Sequence, residues 1–233
     1  MTNETKISFA LSFVSGFVDT AGFIALFGLF TAHVTGNLVL AGAAIGNAGE
    51  LGNISGKLLM LPVFILSGAF ASYLLKYKRS SVQQLALAEA LFVVAFSIAG
   101  RFFLHSGLVS MNGAVAVTAS FAVMSMGIQN TYMRKVLNSY TPNTVMTGNF
   151  TQFSIDLFNF ADYFLSGNEN RNQAELVAVK SSLRKVTNVL AGFLTGCLLG
   201  ALLVKQLGLI CCLLPAILLL WVAAQKNIRV LKK

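Results

Sequence analysis

A chain of 233 residues that is 56% hydrophobic and only 11% charged cannot cover a globular surface with polar groups, since ordinary soluble domains carry about 25% charged residues. Its mean hydropathy is +0.74, and 17 Lys and Arg stand against 8 Asp and Glu, a formal charge of +9. A soluble enzyme, a disordered chain and a secreted disulfide scaffold are excluded, and an all-α polytopic membrane protein is expected. Taken in order, the apolar runs 7–30, 54–75, 82–100, 108–131, 186–204 and 207–224 each come close to the span of a bilayer core. The first run is read as a retained span, because Asp19 interrupts it and no small-residue cleavage site follows. Two further segments are harder to place. Residues 31–49 are apolar but glycine-rich, and 143–165 carry Thr151, Gln152, Ser154, Asp156, Asn159 and Asp162, too polar a set to face lipid. Cys197, Cys211 and Cys212 lie inside apolar runs without metal-ligand spacing and read as small packing residues.

The two difficult segments carry an internal repeat. Residues 16–20 (G-F-V-D-T) match 127–131 (G-I-Q-N-T), and V-T-G-N at 34–37 matches M-T-G-N at 146–149, an offset of 112. Ser67-Gly68 with Ser72 resembles Ala191-Gly192 with Gly196, small residues suited to close helix packing. Basic residues decide whether the T-G-N segments cross. If they do not, fourteen of the seventeen fall on one side and only Lys57, Arg101 and Lys205 on the other, as the positive-inside rule requires. The expected architecture is therefore one membrane domain over 1–233. It has six transmembrane helices plus two short re-entrant helices, in two inverted three-span halves, 7–104 and 108–226. Both termini are expected to be cytoplasmic.

The motifs G-F-V-D-T-A-G-F at 16–23, H-V-T-G-N at 33–37 and T-P-N-T-V-M-T-G-N-F at 141–150 resemble the YoaK-like family, over nearly the whole chain. The resemblance implies a bacterial six-span protein of the cytoplasmic membrane, from a family defined as a domain of unknown function. It implies no substrate.

Several residues are placed for chemistry. Asp19 lies mid-span, where an ionisable side chain costs about 2.5–3.5 kcal/mol on insertion scales. Its repeat equivalent Asn130 keeps the hydrogen bonding without the charge. Each T-G-N can start a short helix whose free N–H groups and positive dipole end face a cavity. The expected binding set for a small polar solute or ion is Asp19, Thr20, Thr35, Gly36, Asn37, Gln129, Asn130, Thr131, Thr147, Gly148 and Asn149. Proton coupling would fall to Asp19, Glu89 or Asp156. The competing role for the same residues is structural: an Asp bonded between helices, and T-G-N as the cap of a turn. Gly192, Gly196 and Gly200 form a stripe for tight packing or a homodimer seam. No P-loop, metal cluster, nucleophile elbow or dinucleotide fingerprint occurs, so neither an enzyme, a cofactor nor a nucleic-acid partner is expected. The leading expectation is a small secondary transporter or permease. The alternative is a non-catalytic membrane scaffold or partner-binding protein.

Overall fold

The computed structural model describes residues 3–46, 54–106, 111–137, 141–143, 145–165 and 173–225. All regular structure among them is helical: α1 Asn3–Ala25, α2 Val34–Gly46, α3 Ile54–Tyr77, α4 Val82–Ser106, α5 Met111–Lys135, α6 Met146–Leu165, α7 Gln173–Leu207, a 3-10 turn Gly208–Cys212 and α8 Leu213–Ala223. The breaks have local causes. α1 ends at Phe27 and Gly28, both with positive φ (55° and 78°), and α7 ends at Gly208 with φ 61°, a region that L side chains other than glycine rarely enter. α4 opens with a capping box: the Ser81 N–H donates to Gln84 Oε1, and the Gln84 N–H donates to Ser81 Oγ. Pro62 lies inside α3, whereas Pro215 occupies the first turn of α8, where a missing N–H leaves no bond unmade.

Polar side chains are buried within a mainly apolar core while large apolar ones lie on the outside. Ser12, Ser15, Glu89, Thr118, Ser125 and Gln129 are fully buried, while Ile65, Leu66, Phe70, Leu91, Ile98, Leu198 and Leu202 are more than half exposed or close to it on the outside. An apolar exterior around a core that also buries polar groups suits lipid as the surrounding solvent. Among the described residues, four stretches are long and apolar enough to cross a bilayer: Asn3–Ala25, Ile54–Tyr77, Val82–Leu104 and the continuous Gln173–Ala223. α5 is as long, at 25 residues, and buries Thr118, Ser125 and Gln129.

Contacts between helices give their directions. Cβ atoms added at Gly192, Gly196 and Gly200 of α7 would strike the backbone at Phe9, Phe13 and Phe17 of α1, in that order, so the two helices run parallel. α5 runs parallel to α3 in the same way: Gly127 lies against Phe64 and Ser67, and Gly68 lies against Thr131. α8 runs back along α4, with Leu209 at Gly100 and Gln83 donating to the Gln225 carbonyl. Tyr132, late in α5, meets Glu89, early in α4. Calling the start of α1 the near end, α1, α4 and α7 run away from it and α3, α5 and α8 run back. α1 finishes and α3 begins at the far end; α5 finishes and α7 begins at the near end.

The first helix of each sequence half thus packs on the third helix of the other. α4 lies on α5 as α8 lies on α1, and α2 touches α3 as α6 touches α7. Asn188 Nδ2 donates to the Thr5 carbonyl, so residues of α7 before 188 extend past α1 at the near end. The described basic residues divide unevenly between the ends. Lys6, Lys76, Lys78, Arg79, Arg134, Lys135, Lys180, Arg184 and Lys185 lie toward the near end; Lys57, Arg101 and Lys205 lie toward the far end. Arg171 and the basic residues from Lys226 onward lie outside the described residues.

One expectation is corrected. The Gly192, Gly196 and Gly200 stripe is buried and filled along its length by the α1 backbone. It is an internal helix–helix contact and is not open as a homodimer seam.

Candidate functional site

Asp19 sits in α1, six residues before the helix ends, and its carboxylate ties down the chain that folds back after Gly28. Oδ1 accepts from the Thr31 N–H (2.7 Å) and the Ala32 N–H (2.7 Å), and more loosely from Thr31 Oγ1 (3.3 Å) and the His33 N–H (3.5 Å). Oδ2 accepts from His33 Nδ1 at 2.6 Å. Bonds of this kind to a charged acceptor are the strong ones, and they hold α2's start about 9 Å back from the end of α1, six residues at 1.5 Å each. The approach is close: a Cβ at Gly22 would come within 2.7 Å of Thr31 Cγ2. Asp19 is only 5% exposed, so protein groups alone satisfy it.

Asn37 completes the turn. Its side chain takes both backbone groups of Phe30: Nδ2 donates to the carbonyl (2.8 Å) and Oδ1 accepts the N–H (2.8 Å). The second T-G-N repeats this closure, since Asn149 Nδ2 donates to the Pro142 carbonyl, again seven residues back. Proline has no N–H, so the second half makes one bond where the first makes two. Replacing Asn37 by Ala should therefore lower thermal stability in detergent more than Asn149→Ala does. About 2 kcal/mol is expected against about 1, from the net worth of one hydrogen bond each plus the penalty of leaving buried groups unpaired. Equal losses would refute the difference in closure.

The remaining T-G-N residues do not converge. Thr35, Thr147 and Gly148 are exposed, and Gly36 packs its backbone against the Phe30 ring. Thr20 is half-buried. Thr131 Oγ1 donates to Gly127 O (2.9 Å) and Gly68 O (3.3 Å), and Asn130 donates to Met126 O of its own helix (3.2 Å). Asp19 and Asn130 also lie at different depths. Gln129 Nε2 donates to the Leu11 carbonyl at 2.9 Å, so Asn130 is level with Leu11, about 12 Å along α1 from Asp19 at 1.5 Å per residue. Asp156 is bonded on both oxygens, by Gln152 of α6 (2.8 Å) and Ser182 of α7 (2.6 Å), and pins those helices together.

Further buried polar groups lie on α1, α4 and α5. Tyr132 donates its hydroxyl to Glu89 Oε2 at 2.6 Å, linking α5 to α4, both side chains being fully buried. One turn earlier on α5, Gln129 links to α1. Glu89 Oε1, Gln129 Oε1 and the hydroxyls of Ser12, Ser15, Ser97, Thr118 and Ser125 are buried without a protein partner. Glu89 and Gln129 were legible as candidates; Tyr132 and the hydroxyl row were not singled out. The signal is present: Thr118, Ser125 and Tyr132 recur every seven residues, with Gln129 between the last two, on one face of α5. Ser8, Ser12 and Ser15 form a buried stripe on α1.

Among known proteins, the chain is 30% identical over 149 residues to the UPF0700 transmembrane protein YoaK of Bacillus subtilis (strain 168), a match covering 63% of this chain and 64% of that protein. No solved structure matches. Residues 7–225 match the model of a family described as a protein of unknown function, DUF1275, and this transmembrane chain belongs to that family.

Proposed function

We propose that this chain is a small secondary transporter or permease for a small polar solute or ion, without enzymatic activity, and that Glu89 is its coupling carboxylate. The observation that carries the reading is the set of buried, unpartnered polar atoms on α1, α4 and α5, two of whose residues, Gln129 and Glu89, join α5 to α1 and to α4. In a bilayer each unpaired buried polar group costs roughly 1–3 kcal/mol, and no bulk water is present to offset it. A row of them is sustained when water, an ion or a polar solute occupies the seam. In secondary transporters such groups line the path between halves related by inversion.

The rest of the architecture supports this. The alternating helix directions favour six crossings, with α2 and α6 re-entering from the end at which the preceding helix finished. The reciprocal packing of α1 on α7 and of α5 on α3 favours two inverted three-span halves. The charge bias favours a cytoplasmic near end in the bacterial inner membrane, with N- and C-termini on that side. In this reading Asp19 and the T-G-N starts hold the re-entrant turns in place, and transported species move along the seam beside Gln129. A scaffold reading is favoured at the fully bonded Asp19 turn and at Asp156, which joins α6 to α7.

The test is proton flux in proteoliposomes loaded with pyranine, under an imposed pH gradient and a panel of small polar solutes and alkali cations. The unaltered protein is expected to collapse the gradient at least tenfold faster than empty liposomes with some member of the panel. Glu89→Gln should remove that flux while leaving the protein folded, and Tyr132→Phe should reduce it severalfold. Flux through Glu89→Gln equal to that of the unaltered protein, or none in either, would refute the assignment.

A further inference from the structure

A cavity of about 510 Å³ opens at the near end, between the turn joining α3 to α4 and the end of α5. Its polar lining is Lys76, Arg79, Ser80, Ser81, Gln83 and Lys135, with Leu75, Val82 and Val136 as its apolar wall, and no carboxylate is among the lining residues. It has no part in the polar seam. We propose that this cavity binds the phosphate headgroup of an anionic phospholipid.

Convergence is the first argument. Lys76 closes α3, Arg79 lies in the turn and Lys135 closes α5. Three cations from separate segments around one space repel one another unless an anion joins them. A cation in a helix's last turn gains from the helix dipole, which accounts for Lys76 and Lys135 individually. It does not account for Arg79, nor for all three lining one cavity. The positive dipole end of the 25-residue α4 meets the same space at Ser81 and Val82, adding to the attraction for an anion.

The second argument is backbone strain. Arg79 has φ 50°, where a non-glycine residue costs roughly 1–2 kcal/mol. Glycine would relieve that cost, so an arginine held there points to work done by its side chain. Arg is also the side chain whose fork matches phosphate oxygens in pairs.

The third argument selects a lipid as the source of the phosphate. α3, which gives the cavity Leu75 and Lys76, carries an exposed apolar and aromatic stripe of Leu66, Phe70, Tyr73 and Tyr77. Lys76 Nζ lies 5.0 Å over the Tyr77 ring. Acyl chains can lie along Leu66 and Phe70 while the tyrosines sit at headgroup level, and basic pockets on the cytoplasmic side of helix bundles suit such headgroups.

The test is a thermal-shift titration of the full chain in a neutral maltoside detergent, with dioleoyl phosphatidylglycerol, dioleoyl phosphatidylcholine and inorganic phosphate as separate probes. Phosphatidylglycerol should stabilise saturably and phosphatidylcholine should not. Arg79→Gly should leave the lipid-free melting temperature unchanged or higher, yet weaken the apparent affinity for phosphatidylglycerol at least tenfold. Lys135→Gln should weaken it severalfold. A triple Lys180, Arg184 and Lys185→Gln control removes more charge from the same end and should change it less than twofold. The proposal is overturned if Arg79→Gly keeps its affinity, if the control loses as much, or if phosphatidylcholine stabilises equally. Full stabilisation by millimolar inorganic phosphate would overturn the lipid as occupant.

Discussion

Replacing Asp19 by Ala should destabilise the protein by about 4 kcal/mol, several times the loss from an ordinary buried polar residue. The figure follows from the donors left behind. Thr31 and Ala32 each lose a short bond to a charged acceptor, and the His33 ring loses its partner at 2.6 Å. Hydrogen bonds to charged groups are worth about 1.5–3 kcal/mol each, and unpaired buried donors add a penalty of similar size. Because the turn is buried against α1, with Thr31 at 0% exposure, water cannot replace the lost acceptor at no cost. Asp19→Asn provides the control: its remaining carbonyl oxygen can keep the Thr31 and Ala32 N–H groups, and its amide can face a neutral His33 nitrogen. It should lose no more than about 1.5 kcal/mol, the net worth of one such bond. Thermal unfolding in detergent, read by size-exclusion of the surviving monodisperse fraction, orders the two variants. Equal and small losses would show that the carboxylate does not hold the turn. If Asp19→Asn instead folds normally and abolishes flux, the charge itself serves transport as well as the turn.

What could be read in the sequence follows the range of the interactions involved. Helix positions come from local hydropathy, and the T-G-N motifs mark helix starts because Thr, Gly and Asn act through bonds to nearby backbone. The helices begin at Val34 and Met146, the same offset of 112 that separates the motifs. Partners distant in the chain were not legible. Asp19 was singled out by its depth, but its partner is His33, brought beside it by a reversal at Phe27 and Gly28 that hydropathy does not encode. Glu89 is legible as a carboxylate within a span, whereas its partner is Tyr132, 43 residues away on α5. A tyrosine in an apolar run reads as one more aromatic until its hydroxyl is placed. The glycine stripe on α7 announced a close contact without naming the other surface, since Cβ-less positions look alike whether they meet another copy or an earlier helix.

That contact gives the second large effect. Leu in place of Gly196 should prevent α1 from seating on α7, and most of the protein should be lost to aggregation on extraction into detergent. A Cβ at Gly196 would lie 2.2 Å from the Phe13 carbonyl oxygen and 3.0 Å from the Phe17 nitrogen. Both are backbone atoms of a helix that cannot yield without breaking its own bonds. Even Ala must push the helices apart, and overpacking of this kind costs about 1–3 kcal/mol in a well-packed core. Leu adds three carbons beyond that and also breaks the neighbouring contacts of Gly192 and Gly200, which share the rigid α1 surface. Gly42 is the matched control, since nothing lies within 4 Å of a Cβ there; Gly42→Ala should be neutral or slightly stabilising by the helix propensity of Ala over Gly. The repeat supplies a further check. Gly127 meets the Ser67 side chain and the Phe64 carbonyl, a contact that can relax because a serine rotates where a helix backbone does not. Gly127→Ala should therefore be tolerated better than Gly16→Ala, whose Cβ would meet the Phe193 carbonyl oxygen at 2.3 Å. The opposite order in a thermal-unfolding series would mean that α1 and α7 are held apart by more than these backbones, and that the tight seam lies between α3 and α5 instead.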